Sequence, residues 1–174
     1  RINSKFGKND KPILNVPKPL IMNEGAKIMS LVDGKRKMSK SDPNENSRIC
    51  LLDSPDKIKR KIKRAKTDSS MGLEFGNVNR PEADNLLGIY SLVSGLGKEV
   101  VKRECSQIGW GKFKPMLTDA IINALEPIQD KYYSLMENST ELDRVLANGK
   151  EKAEIISQST LKRVKSALGF LEVN

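Results

Sequence analysis

The sequence predicts a mainly α-helical protein in which a short segment with one predicted strand precedes a series of packed helices. Apolar residues recur at helical spacing between residues 81 and 168, which is typical of a helical bundle. Upstream, residues 26–32 form a partly β-branched apolar run that Asp33 and Gly34 end, which indicates a buried strand or the end of one. Three prolines within residues 1–24 favour extended chain there rather than a helix.

Helix start and stop signals divide the rest of the chain. Ser54 and Pro55 form a strong N-cap and first-turn pair, and a second helix starts at Pro81 and ends at Gly95 or Gly97. A shorter helix is predicted around residues 99–107, and it is followed by a long helix with Pro115 near its start and a kink at Pro127. Two more helices are predicted, one from Ser139 to Ala147 that Asn148 and Gly149 end, and one over residues 150–168.

We expect the apolar stripes of these helices to form the core. Trp110, between two glycines, is predicted to be a packing anchor rather than a stacking platform. The predicted core positions are Ile58, Ile62 and Ala65; Leu86, Leu87, Ile89, Tyr90, Leu92 and Val93; Met116, Leu117, Ala120, Ile121, Ala124, Leu125 and Ile128; and Ala153, Ile156, Leu161, Val164 and Leu168.

Composition excludes several classes of site. The 174 residues include 31 Lys and Arg against 22 Asp and Glu, a net charge of +9 that permits a polyanionic partner. The chain has no histidine, which excludes histidine acid/base catalysis and histidine metal ligands within it. Cys50 and Cys105 stand far apart, so a reduced cytosolic chain is favoured over a zinc site or a disulfide scaffold. No apolar run is long enough to predict a membrane span, and the start at Arg1 resembles a chain entered in its middle.

A basic loop follows the predicted strand. Lys37-Met38-Ser39-Lys40-Ser41 carries two ammonium groups, and Asp42-Pro43-Asn44 then turns the chain. Lysine is a compact point charge on a flexible stem, which suits phosphates that move or develop charge. The alternative is a solvated basic loop. No Gly-x-x-x-x-Gly-Lys-Ser/Thr motif is present, and no carboxylate pair stands at metal-ligand spacing, so we predict neither a P-loop nor a protein metal site.

The helix that begins at Ser54 is strongly basic. Seven of the ten residues from 57 to 66 are cationic, so self-repulsion disfavours this helix in isolation. We expect it to be held by its isoleucines and to present its outer face to anions. A solvated face is the alternative to a nucleic-acid contact. The candidate RNA-binding residues are Lys57, Lys59, Arg60, Lys61, Lys63 and Arg64.

Taken together, these segments resemble the bacterial-type tryptophanyl-tRNA synthetases, which are class I aminoacyl-tRNA synthetases. The resemblance covers residues 1–168. It rests on Gly25-Ala26-Lys27-Ile28-Met29-Ser30-Leu31, Lys37-Met38-Ser39-Lys40-Ser41-Asp42-Pro43-Asn44, Leu51-Leu52-Asp53, Lys61-Ile62-x-x-Ala65-x-Thr67-Asp68, Asn79-Arg80-Pro81 and Asn85-Leu86-Leu87-x-Ile89-Tyr90. The family's first nucleotide motif, of the His-x-Gly-His type, is absent, as are the segments that hold the tryptophan ring. The resemblance therefore implies the C-terminal half of such an enzyme, inactive on its own.

The resemblance implies a Rossmann-like catalytic remnant over residues 1–53, and a helical, anticodon-side domain over residues 54–174 whose last helix can return to the catalytic domain. It also implies ATP-dependent formation of tryptophanyl-adenylate and transfer to tRNA(Trp), with Mg²⁺ bridging the phosphates. Lys37 and Lys40 would be catalytic. The residues implied to bind ATP are Ile28, Met29, Lys37, Met38, Ser39, Lys40 and Ser41, with Met38 on the adenine and the Ile28–Met29 backbone at its edge.

The family also implies partners that the chain itself does not specify. A homodimer is expected at full length, the tryptophan pocket would lie mostly outside this chain, and a cytoplasmic location without membrane attachment is expected. Two alternatives stay open. One is a tyrosyl-tRNA synthetase, and the other is a non-catalytic RNA-binding module derived from such an enzyme.

Overall fold

The computed structural model describes residues 1–7, 12–22 and 25–171 and is mainly helical, as predicted. The helices are α1 (Ile2–Phe6), α2 (Pro55–Arg64), α3 (Pro81–Ser94), α4 (Lys98–Cys105), α5 (Trp110–Glu137) and α6 (Ser139–Ala167), with a short 3₁₀ helix at Glu45–Ser47. The chain divides into two compact units, residues 21–133 and residues 1–20 with 134–174. Three expectations stay predictions. They are the functional division between residues 53 and 54, the Rossmann-like remnant and the helical bundle. Within the described ranges, no helix is long and apolar enough to cross a membrane.

The predicted strand over residues 26–32 is wrong. In the described part of the larger unit, this segment makes one isolated antiparallel bridge, between Met29 and Lys37. Its other backbone groups are bound one at a time by separate segments, since Leu31 N–H donates to the Ser47 carbonyl and Lys66 N–H donates to the Leu31 carbonyl. A strand needs a continuous ladder with one neighbour, and this segment has several different partners instead.

The core of the larger unit lies where α2, α3, α4 and α5 meet. The predicted apolar stripes of these helices supply much of it, and Trp110 packs on Phe113 with ring centroids 5.9 Å apart, which confirms its prediction as a packing anchor. Two predicted core residues are wrong, because Leu92 and Ile128 are 43% and 49% exposed. The fully buried side chains include Ile58, Ile62, Leu86, Leu87, Val101, Phe113 and Leu117.

Short-range sequence signals predicted several helix ends correctly. Ser54 caps α2 by accepting a hydrogen bond from the Lys57 N–H, and Pro55 is the first residue of the helix. Gly95 ends α3 in the left-handed conformation at φ 72°, where a side chain would be strained.

The secondary structure of the smaller unit departs from the prediction at two points. Residues 2–6 form a short helix, where extended chain was expected. The break at Asn148 and Gly149 does not occur, and α6 runs through it for 29 residues. One glycine in a helix costs only about 1 kcal/mol relative to alanine, which a long helix can absorb.

The apolar stripe of α6 is also not core in this structure. No residue of α6 is buried, and Ile156 and Leu161 are 73% and 51% exposed. The stripe obeys the helical period, but period alone cannot show whether a partner covers it.

Candidate functional site

The basic loop starts from a tight turn that is docked on α3. Ser30 N–H donates to the Arg36 carbonyl at 2.8 Å and Met38 N–H donates to the Ile28 carbonyl at 2.9 Å, so the chain doubles back around Gly34. A Cβ added at Gly34 would come within 2.7 Å of the Glu82 backbone nitrogen at the start of α3. Only glycine allows this close approach, which fixes the turn against the helix.

Lys37 and Lys40 leave this turn exposed to solvent. Among the residues that the structure describes, neither ammonium group is paired with a carboxylate. The hydroxyl oxygens of Ser39 and Ser41 lie 3.0 Å apart and also face solvent. Two cationic groups and two hydroxyl groups are thus presented together, which is a donor set suited to phosphate oxygens.

The far end of the loop is held by Asp42. Its carboxylate accepts from the Arg36 guanidinium at 3.3 Å and from the Asn44 N–H at 2.8 Å, and its carbonyl accepts from Arg48 at 2.7 Å. Asn44 in turn caps the short 3₁₀ helix. These contacts anchor both ends of the loop while the lysines between them stay free to reach outwards.

Met38 lies at the edge of an apolar cleft of about 560 Å³. It is half-buried against the core, and Lys40, Leu51, Leu52 and Tyr132 also line the cleft. The side chain is therefore placed to offer an apolar surface beside the two lysines.

The predicted role of the Met29 backbone needs correction. Met29 N–H donates to Asn85 Oδ1 at 2.8 Å, and the Met29 carbonyl accepts from Asn85 Nδ2 at 2.9 Å. The edge that was expected to bind adenine is therefore bound by a side chain of α3. The Ile28 carbonyl is similarly bound by Met38 N–H.

The basic helix α2 presents two cationic faces. Lys59 and Lys63 line a groove of about 720 Å³ whose opposite wall is α5, with Trp110 among its apolar residues. Arg60 and Arg64 line a smaller cavity of about 240 Å³ together with Lys57. These five side chains stay candidates for phosphate contacts.

Lys61 does not belong with them. Its side chain is 3% exposed, and its ammonium group is hydrogen-bonded to the carboxylate of the equally buried Asp53. Burial alone would raise the pKa of Asp53, but the Cys50 N–H and the Lys61 ammonium group together hold it below its usual range. Lys57 also contacts Asp53, at 3.4 Å. The prediction of Lys61 as a tRNA contact is withdrawn, because its charge is committed inside the protein.

Two residues that support the site escaped the sequence reasoning. Lys114 donates to the carbonyl groups of Lys63 and Ala65 at the C-terminal end of α2, where carbonyl groups lack a partner within the helix. Gln129 on α5 donates to the carbonyl of Leu51 at 2.7 Å. No sequence signal pairs these residues, since the partners lie 49 to 78 positions apart.

The loop that follows α2 is fixed by an ion pair. Arg80 contacts Asp68 through two nitrogens, at 2.9 and 3.0 Å, and also donates to the Gly72 carbonyl. This guanidinium group lowers the pKa of Asp68 to about 2. The Trp110 indole N–H lies 3.4 Å from the same carboxylate. The loop between α2 and α3 is therefore tied to the first turn of α5.

Over residues 1–7, 12–22 and 25–171, no group of three or more acidic or cysteine side chains is arranged to hold a metal ion. Cys50 and Cys105 are both free thiols.

Comparison with known proteins identifies the family. A family model described as tRNA synthetases class I (W and Y) matches residues 1–126. The chain belongs to this class I synthetase family. A tryptophan–tRNA ligase of Prochlorococcus marinus is 67% identical over 172 residues, which are 99% of this chain and 51% of that protein. The chloroplastic/mitochondrial tryptophan–tRNA ligase of Arabidopsis thaliana is 48% identical over 97% of this chain and 41% of its own length.

Among solved structures, this class I synthetase chain is similar to tryptophanyl-tRNA synthetase from Mycoplasma pneumoniae. The TM-score is 0.86 at 27% identity, and the match covers 98% of this chain and 52% of that one. The chain thus spans about half the length of the curated relatives it matches.

Proposed function

We propose that this chain is one half of a tryptophan–tRNA ligase and supplies the phosphate side of its ATP site together with part of its tRNA surface. The single observation that supports this most is the loop Lys37–Ser41, where two unpaired ammonium groups and two hydroxyl groups face solvent beside Met38. The relatives described above are named for tryptophan, which favours tryptophan over tyrosine.

In the proposed reaction, the tryptophan carboxylate attacks the α-phosphate of ATP, the bond to the bridging oxygen breaks, and pyrophosphate leaves. Lys37 and Lys40 neutralise the charge that develops on the leaving pyrophosphate, and Ser39 and Ser41 donate hydrogen bonds to its oxygens. Because lysine side chains are flexible, their contacts can strengthen as the pyrophosphate leaves. Contacts that strengthen only in the transition state accelerate the reaction.

Met38 and Ile28 would bind the adenine ring. Met38 offers its side chain to one face of the ring. We assign the edge to the Ile28 N–H, since the Ile28 carbonyl is bound by Met38 and the Met29 N–H by Asn85. Mg²⁺ would be held by phosphate oxygens and water, since Asp42, the carboxylate within the loop, is already bound by Arg36 and Asn44.

The tRNA partner is proposed to contact α2. Lys59, Arg60, Lys63 and Arg64 are exposed on this helix, and Lys57 beside them also pairs with Asp53 and Glu45. These five residues would bind phosphates, which position the RNA without selecting its sequence. The half that carries the tryptophan pocket lies outside this chain, so we expect no activation of tryptophan by the chain alone. We retain the assignment to the C-terminal half, a homodimer at full length and a cytoplasmic location as proposals.

The experiment uses a chimaera in which this chain replaces the matching half of the 67% identical Prochlorococcus ligase. We expect tryptophan-dependent exchange of pyrophosphate into ATP, and a loss of roughly 2–4 kcal/mol of transition-state stabilisation in Lys40→Ala. The matched control is Lys35→Ala, which removes an exposed lysine of the same turn and should keep the exchange rate. A chimaera that folds and binds tRNA without exchange would favour the non-catalytic RNA-binding alternative.

A further inference from the structure

Asn85 hydrogen-bonds to the backbone of the turn from which the basic loop starts, as a neighbouring strand would do in a sheet. It lies on α3, is 8% exposed, and pairs with both backbone groups of Met29, at 2.8 and 2.9 Å. Since Met29 N–H can only donate and its carbonyl can only accept, the two contacts also settle the orientation of the Asn85 amide.

The geometry of the bridge explains why Met29 is available to Asn85. Met29 and Lys37 face each other, but the ladder hydrogen bonds are made by their neighbours, from Met38 to Ile28 and from Ser30 to Arg36. In such a non-hydrogen-bonded antiparallel pair, the N–H and carbonyl of each residue point away from the partner strand. Those of Met29 therefore point to α3, where Asn85 binds both.

This arrangement connects α3 to the lysines of the loop. Asn85 fixes Met29, Met29 lies opposite Lys37, and the adjacent bond holds the Met38 backbone. The bridge is isolated, so no ladder on either side keeps its register among the described residues. The position of Lys37 thus depends in part on a buried carboxamide 48 positions further along the chain.

We propose that Asn85 is a positioning residue for the reaction, because it fixes the backbone from which Lys37 and Met38 reach the nucleotide. This inference rests on the proposed function. It assigns Asn85 no contact with ATP, and it predicts that the loss of the side chain acts through Lys37. Displacement of a catalytic group by about 1 Å can cost on the order of 100-fold in rate.

The test is a double-mutant cycle of pyrophosphate exchange in the chimaera. Asn85→Asp keeps the size of the side chain but, when ionised, loses the donor to the Met29 carbonyl. We expect the exchange rate to fall about 10- to 100-fold, and to fall less than about threefold when the same change is made on top of Lys37→Ala. Asn123→Asp, at an exposed position of α5, is the matched control and should leave the rate unchanged.

The outcomes separate the two proposals. If Lys37→Ala leaves the exchange rate unchanged, the proposed function fails and the role of Asn85 fails with it. If Lys37→Ala is slow but Asn85→Asp matches the parent, or if the two losses multiply fully, only the inference about Asn85 is overturned. A loss that multiplies fully is the result expected of a merely structural residue.

A second readout on the 174-residue chain does not require activity. In Asn85→Leu, which removes both hydrogen bonds to Met29, or in Asn85→Gln if the first variant fails to fold, amide hydrogen exchange at Met29 and Met38 should become faster while that of Ile62 in α2 stays as in the parent. Unchanged exchange at Met29 and Met38 would overturn the proposal.

Discussion

The Lys61 ammonium group is buried against the Asp53 carboxylate, on the inner side of a helix whose exposed cationic residues are Lys59, Arg60, Lys63 and Arg64. This pair anchors the first turns of α2 to the segment that precedes it. Its burial also distinguishes Lys61, which has a structural role, from the neighbouring lysines that are candidates for binding RNA.

Removal of Lys61 should destabilise the protein more than removal of a neighbouring lysine. Lys61→Met leaves a buried carboxylate without its closest cation, and breaking such a pair costs roughly 3–5 kcal/mol of the free energy of unfolding. Lys57, 3.4 Å from the same carboxylate, should offset part of that cost. Lys59→Met is the matched control, on the same helix and exposed, and should change the free energy by less than about 0.5 kcal/mol. Urea unfolding measures both, and equal values would show that the pair contributes nothing.

The two outer faces of α2 should set the salt dependence of tRNA binding. Replacing Lys59 and Lys63 by alanine should reduce the slope of the logarithm of the binding constant against the logarithm of salt concentration by roughly 1–2. Lys102→Ala with Arg103→Ala removes the same charge from α4 and should leave the slope as in the parent. Filter binding over a range of salt concentrations checks this. An equal reduction in both double variants would mean that only the net charge matters.

The depressed pKa of Asp68 predicts a specific loss of stability in acid. Because its pKa falls from 3.8 in the unfolded chain to about 2 in the folded protein, the ionised form stabilises the fold above pH 4. That contribution declines between pH 4 and pH 2 as the carboxylate is protonated. Asp68→Asn should therefore flatten the dependence of the free energy of unfolding on pH in this window, as should Arg80→Gln. Parallel curves for the parent and Asp68→Asn, obtained by urea titration at each pH, would contradict the assignment.

The sequence predicted those parts of the fold that depend on neighbouring residues. Ser54, Pro55 and Gly95 act on the backbone within one turn, so their effect can be recognised without knowing the rest of the structure. The break at Gly149 was predicted from the same kind of signal and is wrong, since a long helix can absorb one glycine.

Contacts between distant residues could not be predicted in this way. Asn85 meets Met29 across 56 positions, and no rule for a single helix or strand pairs them. Lys61 is an intermediate case, because it falls on the same stripe as Ile58, Ile62 and Ala65. That spacing was a usable sign that its side chain points into the core.

The candidate site was predicted through the loop Lys37–Ser41, whose residue types suit phosphate chemistry. The turn at Asp42 was also predicted, but the support from Asn85, which binds both backbone groups of Met29, was not. Almost any residue type can present a backbone group, so the sequence gives no sign of such a partner.

The most direct test of the central claim is the rate constant of tryptophanyl-adenylate formation at saturating ATP, measured by rapid quench in the parent chimaera and in Lys40→Ala. If the loop stabilises the leaving pyrophosphate, the rate constant should fall about 30- to 1,000-fold, whereas the dissociation constant of ATP should change by less than about threefold. A rate constant equal to that of the parent would contradict the proposal that this chain supplies the phosphate side of the active site.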